Sequence, residues 1–493
     1  MIYPRFDEFS KLAERGNLIP VYREVLADTE TPVSAYMKLG RSPSFLLESV
    51  EGGEKWARYS FIGIDPSKVI RTAGDSVEIR DASGEVTTVR TADPLDVLQR
   101  ELDRYHPVAV PGLPRFFGGL VGYLGYDMVR TFERVPDMGK PGFEMPDMWF
   151  LLADTILVFD SLRQKIKIVK NVYTEGRDLA AAYGEAVERL EELVRQLRSA
   201  PMPAMGEPTE EMEASEFQSA FGSREDFMRA TERSKQYVLS GDVVQVVLSQ
   251  RFQRKCAANP VNIYRALRVI NPSPYMYYID TGDGKIIGSS PEILVRVEDA
   301  DIVLRPIAGT RRRGRNDEED RALEEELRTD PKEQAEHIML VDLGRNDVGR
   351  VAATGSVQVT DLMVVERYSH VMHLVSNVSG RLRQGADPFD VVRACFPAGT
   401  VTGAPKVRAM EIIEELEPGR RGPYAGAVGY FSFSKNTDMC ITIRTMIYKD
   451  ETIYVQAGAG IVADSDPLRE YQETVNKAMG MFKAVEMAER GFD

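Results

Sequence analysis

Alternating apolar and polar positions predict a series of short strands in the first 195 residues of the chain. The clearest segments are 44–49, 58–64, 77–80, 119–126 and 150–159, each bounded by turn-forming residues. The most apolar stretch, 148–159, contains Asp154 and is too short to cross a bilayer. We interpret it as a buried strand.

The pattern changes near residue 200. Residues 176–197 predict a charged helix, whereas residues 199–215 are rich in Pro, Met and Glu and have no period. Such a segment is typical of a linker. We therefore expect an N-terminal region at 1–198, a linker at 199–218 and a second region at 219–493.

The second region begins with a helix and a strand. Ser223 is a suitable N-cap for a helix that ends near Gly241, and residues 243–252 follow as a strand. Val246 lies on the apolar face of that strand, and Gln245 lies on the opposite face.

A strong helix start occurs at Asp330. An N-cap aspartate, proline at the first helical position and Glu333 as a capping-box glutamate account for its sequence. Capping does not account for Glu336, which shares a stripe with Leu340 and Leu343, because an unpaired carboxylate on an apolar face is costly.

The last strand and helix carry a second pair of carboxylates. Residues 455–462 predict a strand that ends in small residues, whose exposed N–H groups could hold an anion. On the next helix Glu470 and Glu473 are three residues apart, and so share one face. The pair indicates a divalent metal site, or else a solvated helix face with a Glu473–Lys477 ion pair.

Three further features of the second region carry possible chemistry. His373 lies in an alternating strand, where a lone histidine is more often a core residue. Residues 398–406 form a small-residue turn into a helix start that can hold an anion. Arg444 lies in an apolar strand, and its guanidinium fork suits a carboxylate. Together with the two glutamate pairs, they indicate an acidic Mg²⁺ site for a small dicarboxylate.

Composition restricts the class of protein. The chain has 493 residues, 62 Lys and Arg against 76 Asp and Glu, and a formal charge of −14, which disfavours nucleic-acid and anionic-membrane surfaces. Its length predicts two or three domains or one elaborate pair. Three scattered cysteines do not form a disulfide framework or a metal knuckle. With no signal-peptide pattern at the start, we expect a cytoplasmic protein.

Long motifs give the chain a family resemblance. It resembles the chorismate-binding enzymes and, within them, the large synthase subunits of anthranilate synthase. The first region contributes LLES and GGLVGYLGYD. The second contributes GDVVQVVLSQRF, NPSPYM, SSPE, RPIAGTRRRG, EHIMLVDLGRND, RYSHVMHLVS, FPAGTVTGAPKVRAME, YAGAVGYF, IRT and QAGAGIVADSDP, the last followed by E-x-x-E-T-x-N-K.

This resemblance implies a fold and a reaction. The implied fold is a large α/β (α+β) structure with two mostly antiparallel sheets packed face to face, helices outside, and strands from both regions. The implied reaction adds ammonia to C2 of chorismate with loss of the C4 hydroxyl, then eliminates pyruvate to give anthranilate for tryptophan biosynthesis. Because hydroxide is a poor leaving group, an acid must protonate it.

The resemblance also implies roles for individual residues. Glu292, in SSPE, matches the acid, His373 matches the histidine needed when pyruvate leaves, and Thr400 completes the catalytic set. Mg²⁺ is the implied cofactor, with Glu336 and Glu473 as direct ligands and Glu333 and Glu470 as neighbours. The implied substrate-binding residues are Gln245, Gly309, Thr310, Tyr424, Arg444, Gly458, Ala459, Gly460 and Lys477.

Two positions distinguish among the activities of the family. Gln245 occupies a place where isochorismate and salicylate synthases carry a water-activating lysine. Ala308 occupies a place where many aminodeoxychorismate synthases carry a nucleophilic lysine, although some members of that branch also have alanine. An aminodeoxychorismate synthase component therefore remains an alternative, as does a non-catalytic, tryptophan-binding regulatory subunit.

Two partners are implied. None of the three cysteines resembles the cysteine elbow of a glutamine amidotransferase, so the chain should take ammonia from a separate amidotransferase subunit, in a hetero-oligomer, or use free ammonia. LLES and NPSPYM resemble a tryptophan feedback site. The implied effector residues are Glu48, Ser49, Pro274, Tyr275, Met276, Val428 and Tyr430.

Overall fold

The computed structural model describes residues 2–49, 58–202, 217–368 and 371–492. Most of the predicted linker, 203–216, lies outside these ranges. The described helices are α1 Phe6–Ala13, α2 Pro32–Leu39, α3 Leu95–Asp103, α4 Leu179–Ser199, α5 Arg224–Leu239, α6 Pro260–Ile270, α7 Asp317–Thr329, α8 Pro331–Gly349, α9 Pro388–Cys395, α10 Lys406–Leu416 and α11 Pro467–Arg490, with short 3₁₀ helices at Tyr126–Thr131 and Gly399–Val401.

The described strands form two large sheets. They are β1 Ile2–Tyr3, β2 Leu18–Leu26, β3 Ser44–Glu48, β4 Tyr59–Gly63, β5 Lys68–Ala73, β6 Ser76–Asp81, β7 Val86–Arg90, β8 Gly119–Leu124, β9 Met148–Ala153, β10 Thr155–Asp160, β11 Lys165–Tyr173, β12 Gln218–Ser219, β13 Gln245–Lys255, β14 Tyr275–Asp280, β15 Lys285–Ser290, β16 Ile293–Glu298, β17 Asp301–Leu304, β18 Ile307–Arg312, β19 Gln358–Arg367, β20 Val371–Arg381, β21 Gly403–Ala404, β22 Ala427–Ser432, β23 Thr437–Ile441, β24 Thr445–Lys449 and β25 Thr452–Ile461.

Both sheets are antiparallel and mix strands from the two halves of the chain. The first sheet has the order β1-β2-β11-β10-β4-β3-β14-β15-β24-β25-β13-β12, with β21 beside β13. The second has the order β18-β20-β17-β16-β23-β22-β8-β9-β5-β6-β7, with β19 beside β20. The predicted fold class is therefore confirmed. The predicted boundaries at 198 and 218 stay predictions.

The sheets face each other across an apolar layer. Tyr277 and Ile286 of the first sheet share one buried cluster with Val121, Val428 and Cys440 of the second. Helices cover the outer faces: α6 and α11 pack on the first sheet, and α8 and α9 pack on the second. Burial of apolar surface on both faces of each sheet stabilises this arrangement.

Local sequence explains where two important helices begin. Ser223 and Asp226 form the capping box of α5. At α8 the Asp330 side chain accepts from the amides of Lys332 and Glu333, and Pro331 occupies the first turn. The expectation that Glu333 completes a capping box is wrong, because its carboxylate accepts a hydrogen bond from Arg311 instead.

The predicted strand 150–159 is two strands in different sheets. β9 ends at Ala153 in the second sheet, and β10 begins at Thr155 in the first, so the chain crosses between the sheets at Asp154. Both strands are buried on both faces, which hides the boundary from a hydrophobicity pattern.

Two simpler features concern the cysteines and the apolar character of the helices. The three cysteines are free and buried. No helix in the described part of the chain combines the length and apolar character needed to span a membrane.

Candidate active site

Two crossings between the sheets form the centre of the candidate site. The chain leaves the first sheet after β15 and enters the second at β16, with Glu292 between them. It returns between β23 and β24, with Arg444 in that connection. The crossings are joined by hydrogen bonds from the Ile441 amide to the Glu292 carbonyl at 3.0 Å and from the Ser289 amide to the Arg444 carbonyl at 3.1 Å.

Glu292 is a buried carboxyl group. Burial raises its pKa to about 8, against the opposing effects of Thr400, the Ile307 amide and Lys477. Thr400 lies beside it in the second 3₁₀ helix, yet the buried Thr400 hydroxyl oxygen has no well-formed hydrogen bond within the described chain. At neutral pH Glu292 is therefore a protonated acid next to a hydroxyl that can bind a ligand.

Arg444 was expected in a strand, and that expectation is wrong. It lies in the connection before β24 with a positive φ of 51°, which turns the chain from one sheet to the other. Burial lowers the pKa of Arg444, while Tyr424 and Glu473 oppose that effect. The described residues include no ion-pair partner for its guanidinium. A half-buried cation that has no ion-pair partner among the described residues and lies near a tyrosine is suited to binding a carboxylate.

His373 lies on β20 and is held by the turn in β18. Its Nδ1 is 3.1 Å from the Gly309 carbonyl oxygen and 3.0 Å from Thr310 Oγ1. Because a carbonyl only accepts, the first contact places a proton on Nδ1 and leaves the Nε2 lone pair free. Burial lowers the pKa of His373, so the imidazole is neutral at physiological pH. The alternation predicted for this strand is confirmed by β20.

Both the backbone conformation and the closeness of neighbouring side chains require a glycine at position 309. It has a positive φ of 65°, and a Cβ there would meet Glu333 Oε2 at 3.0 Å and Leu327 at 2.9 Å. Thr310, the next residue, is exposed. The backbone at Gly309 therefore lies against the Glu333 side chain of α8.

Helix α8 carries the first carboxylate pair. Glu336 is half-buried and accepts a 3.0 Å hydrogen bond from Gln245 Nε2 on β13. Glu333, one turn earlier, is paired with Arg311 at 2.9 Å. The Gln245 contact supplies the polar partner that the position of Glu336 on an apolar stripe requires.

The small residues of β25 belong to the strand itself. Residues 458–460 are paired with β13. A Cβ at Gly460 would lie 2.4 Å from Gln245 Nε2, and one at Gly458 would lie 2.8 Å from the Tyr424 hydroxyl. The side chain of Ala459 packs on the opposite face. The glycines therefore leave space for the polar side chains of the site.

Helix α11 carries the second carboxylate pair. Glu470 is buried, and burial together with the neighbouring Glu473 raises its pKa, although Ser465 opposes this effect. Glu473 is more exposed and forms a 2.6 Å ion pair with Lys477, whose Nζ also donates to the Gly458 carbonyl at 3.0 Å. Lys477 thus ties the helix to β25.

The four glutamates of the two helices are the candidate ligands of Mg²⁺. The described residues contain no group of three or more His, Cys, Asp or Glu side chains that is already close enough to hold a metal ion. Their oxygen donors nevertheless suit a hard divalent cation, and Glu470 has a buried carboxyl group whose pKa Glu473 helps to raise. The donor chemistry therefore fits Mg²⁺.

The predicted effector residues lie on both faces of the first sheet, with Glu48 and Met276 towards the outer helices and Tyr275 towards the second sheet. Glu48 pairs with Met276 across β3 and β14, and its buried carboxylate contacts Tyr264 at 2.6 Å and Arg268 at 2.9 Å. Burial raises the pKa of Glu48, and Arg268 and Tyr264 oppose this. Ser49 follows directly and is half-buried.

The layer between the sheets contains the aromatic members of the set. Tyr275 of β14 in the first sheet contacts the same apolar cluster as Val428 and Tyr430 of β22 in the second. Tyr275 also donates a 2.8 Å hydrogen bond to Asp438. Pro274 precedes β14 and is half-buried. The structure thus brings together side chains that are far apart in sequence at the interface of the sheets.

A buried ion pair that the sequence analysis did not predict lies beneath the site. Arg421 is 1% exposed, pairs with Glu417 at 2.6 Å, and lies over the Tyr424 ring. It donates to the carbonyls of Val401 at 2.7 Å and Val247 at 2.8 Å. In the sequence, Glu417 and Arg421 resemble an ordinary solvated pair of opposite charges. Their four-residue spacing is the one feature of the sequence that indicates an ion pair.

Comparisons with known proteins agree with this arrangement. Residues 42–483 match the family described as chorismate binding enzyme. The chain is 51% identical over 485 residues to "Anthranilate synthase component 1" of Aquifex aeolicus, covering 98% of each. Its structure is similar to that of anthranilate synthase component I from Streptococcus pneumoniae, with a TM-score of 0.77 and 40% identity over 93% of this chain and 99% of that one.

A more distant structure shows the shared fold. The menaquinone-specific isochorismate synthase from Escherichia coli is similar to the chain with a TM-score of 0.70 and 21% identity, over 97% of this chain and 98% of that one. At this identity the likeness concerns the fold alone.

Proposed function

The chain belongs to the chorismate binding enzymes, and we propose that it is an anthranilate synthase component that converts chorismate to anthranilate in the first step of tryptophan biosynthesis. Relatives named anthranilate synthase component 1 extend over nearly its whole length. The structural observation that best supports the proposal is the joined pair of crossings, one carrying Glu292, whose pKa burial raises to about 8, and the other carrying Arg444.

Amination is the first half of the proposed reaction. Ammonia attacks C2 of chorismate, and the C4 hydroxyl leaves as water after taking a proton from Glu292. The raised pKa of Glu292, about 8, keeps that proton available at neutral pH. Arg444 and Tyr424 bind the enolpyruvyl carboxylate and hold the ring against the acid.

Elimination of pyruvate is the second half. C2 of the ring loses a proton, the C–O bond between the ring and the enolpyruvyl group breaks, and the ring becomes aromatic. The released enolate takes up a proton at its methylene carbon to become pyruvate. Neutral His373, with Nδ1 directed at the Gly309 carbonyl, has a free Nε2 lone pair to accept a proton. This tautomer would therefore allow His373 to act as the base.

Mg²⁺ is the proposed cofactor. Glu336 and Glu473 would bind it directly, with Glu333 and Glu470 beside them, and when bound it would polarise and orient the ring carboxylate. The chain's own part is to hold Glu336 with Gln245.

Ammonia and feedback control require partners. We propose that a separate glutamine amidotransferase subunit supplies ammonia, since "component 1" in the names of relatives implies another component. Tryptophan is the proposed inhibitor, bound by Glu48, Ser49 and the layer around Tyr275. By holding one arrangement of the sheets, it would shift the crossings that carry Glu292 and Arg444.

Product analysis tests the proposal. Purified protein with chorismate, Mg²⁺ and ammonium should yield anthranilate and pyruvate in equal amounts. A stable 4-amino product without pyruvate would instead identify an aminodeoxychorismate synthase component. Tryptophan binding without turnover, even with an amidotransferase, would identify a regulatory subunit.

A further inference from the structure

Part of one edge of β13 is completed by an ion pair instead of a strand. β25 pairs with the opposite edge, whereas on this edge the described chain provides β21 for the first two residues and β12 for two later ones. Between them the Val247 carbonyl accepts from Arg421 at 2.8 Å, and the Ser249 amide donates to the Glu417 carboxylate at 2.8 Å. The ion pair therefore makes the backbone contacts that a neighbouring strand would make.

The guanidinium of Arg421 also joins three parts of the candidate site. Besides β13, which carries Gln245, it donates at 2.7 Å to the carbonyl of Val401, the last residue of the 3₁₀ helix that contains Thr400. It lies over the Tyr424 ring, 5.5 Å from the ring centroid. One side chain thus contacts the segments that carry Gln245 and Thr400 and the ring of Tyr424.

Several partners fix the position of this guanidinium. Glu417 accepts from its Nε at 2.9 Å and from one of its terminal nitrogens at 2.6 Å, so the two planar groups form a bidentate pair. The Tyr126 ring lies 4.8 Å from its central carbon. Glu417 is held in turn by the Ser249 hydroxyl, which donates to it at 2.8 Å. Both members of the pair are buried, so solvent does not compete for these contacts.

The geometry of the pair explains its presence better than stability does. A buried ion pair is weak evidence for a stabilising role, because the cost of removing two charges from water offsets their attraction. Lysine would supply the same charge opposite Glu417. It lacks, however, the planar fork with which Arg421 reaches one carboxylate and two backbone carbonyls at once.

We propose that Arg421 is a positioning residue for the conversion of chorismate, a role that rests on the proposed function. Its guanidinium sets the spacing between β13, the 3₁₀ helix with Thr400 and the Tyr424 ring, and Glu417 holds the guanidinium in place. Because Arg421 is buried, it acts through other residues. Tyr424 is proposed to bind the enolpyruvyl carboxylate, and Thr400 lies beside Glu292.

Two variants test the role without leaving an unpaired charge in the core. Arg421→Lys keeps a positive charge opposite Glu417 but removes the fork. The double variant Glu417→Gln with Arg421→Gln removes both charges together. Glutamine at position 421 is shorter than arginine and has one donor group, so it cannot hold both carbonyls in their present places. Circular dichroism and urea unfolding show whether each variant is folded.

Initial rates at varied chorismate and varied ammonium concentrations measure the effect. In each folded variant kcat/KM for chorismate should fall about tenfold or more, with a rise in KM for chorismate, because a misplacement of about 1 Å has large effects on a bound reactant. KM for ammonium should stay unchanged, since these contacts support groups proposed to bind the carboxylate. A purely structural defect would lower the amount of active protein and change neither KM.

Arg408→Lys on α10 is the matched control. Arg408 also has two carboxylate partners, Asp242 at 2.9 Å and Glu411 at 2.8 Å, and lies over the ring of Tyr237. None of these partners belongs to the proposed site. The substitution should leave kcat and both KM values unchanged.

Three results would decide against the proposal. An unchanged KM for chorismate in either folded variant would overturn the positioning role. Loss of the folded state in both variants would overturn it too, because the pair would then serve the fold alone. Failure of the wild-type chain to convert chorismate is a separate outcome, which overturns the proposed function and this role with it.

Discussion

Gln245 donates a 3.0 Å hydrogen bond from its side-chain amide to Glu336, and this contact joins β13 to α8. The space for Gln245 depends on Gly460, because a Cβ there would lie 2.4 Å from Gln245 Nε2. A strand glycine, a strand amide and a helix carboxylate therefore form one unit. Its integrity sets the position of a proposed metal ligand.

Gly460→Ala should disrupt this unit. Displacement of Gln245 would leave Glu336 without its donor, and loss of such a supporting contact to a metal ligand typically costs about 10- to 100-fold in metal affinity or activity. The measurement is kcat/KM at several Mg²⁺ concentrations. Gly184→Ala on α4 has no atom within 4 Å of the new Cβ and should leave kcat/KM unchanged. Equal activity of both variants would show that the contact has no role.

Glu336→Gln should raise the Mg²⁺ concentration needed for half-maximal activity. The amide keeps the size of the side chain but removes the charge that binds a dication. We expect a shift of about tenfold or more. An unchanged Mg²⁺ dependence would remove Glu336 from the proposed ligands.

Activity should fall as pH rises through the pKa of Glu292, about 8, because the acid loses the proton that it must donate. The same shift affects stability. Because the pKa of Glu292 is raised in the folded state, folded protein keeps this proton at pH values at which unfolded protein has already lost it. The stabilising contribution of the neutral acid is thus present below the unfolded pKa and lost as pH rises toward 8.

Parallel pH profiles of turnover and of urea unfolding check both statements. Glu292→Gln should remove most turnover and also remove this part of the pH dependence of stability. A wild-type rate that keeps rising above pH 9 would contradict the role of Glu292 as the acid.

His373→Met should separate the two halves of the reaction. Without the base the aminated intermediate should accumulate, while anthranilate formation falls by about 10² or more. Chromatography of the reaction mixture, with pyruvate measured in parallel, gives both quantities. Normal anthranilate output would show that another group accepts the proton.

Ser49→Phe should relieve inhibition by tryptophan and spare catalysis. Ser49 is half-buried and follows Glu48 directly at the end of β3, so a larger ring would occupy the proposed effector space. Inhibition curves for anthranilate formation measure the effect. Retained inhibition with full turnover would place the effector elsewhere.

Short-range patterns predicted several elements correctly. Ser223 and Asp330 cap α5 and α8 as their sequences indicate, and the alternation around Gln245 predicts β13 and the face of Gln245. The two-sheet fold and the identity of the site residues came from the family resemblance. Periodicity does not specify which distant strands pair.

The predictions that the structure contradicts failed for one physical reason. At Asp154 and Arg444 the chain changes sheets, and the flanking strands are buried on both faces, so hydrophobicity continues across the crossing. The role of Gly460 could not be predicted either, because it depends on Gln245 from another strand. Contacts between segments far apart in sequence decide both features.

The most direct test of the central claim is the ammonia-dependent assay of the wild-type chain with and without tryptophan. With chorismate, Mg²⁺ and ammonium the account predicts anthranilate and pyruvate in equal amounts, and inhibition when tryptophan is added. A stable aminated product without pyruvate, or no turnover of chorismate, would contradict it.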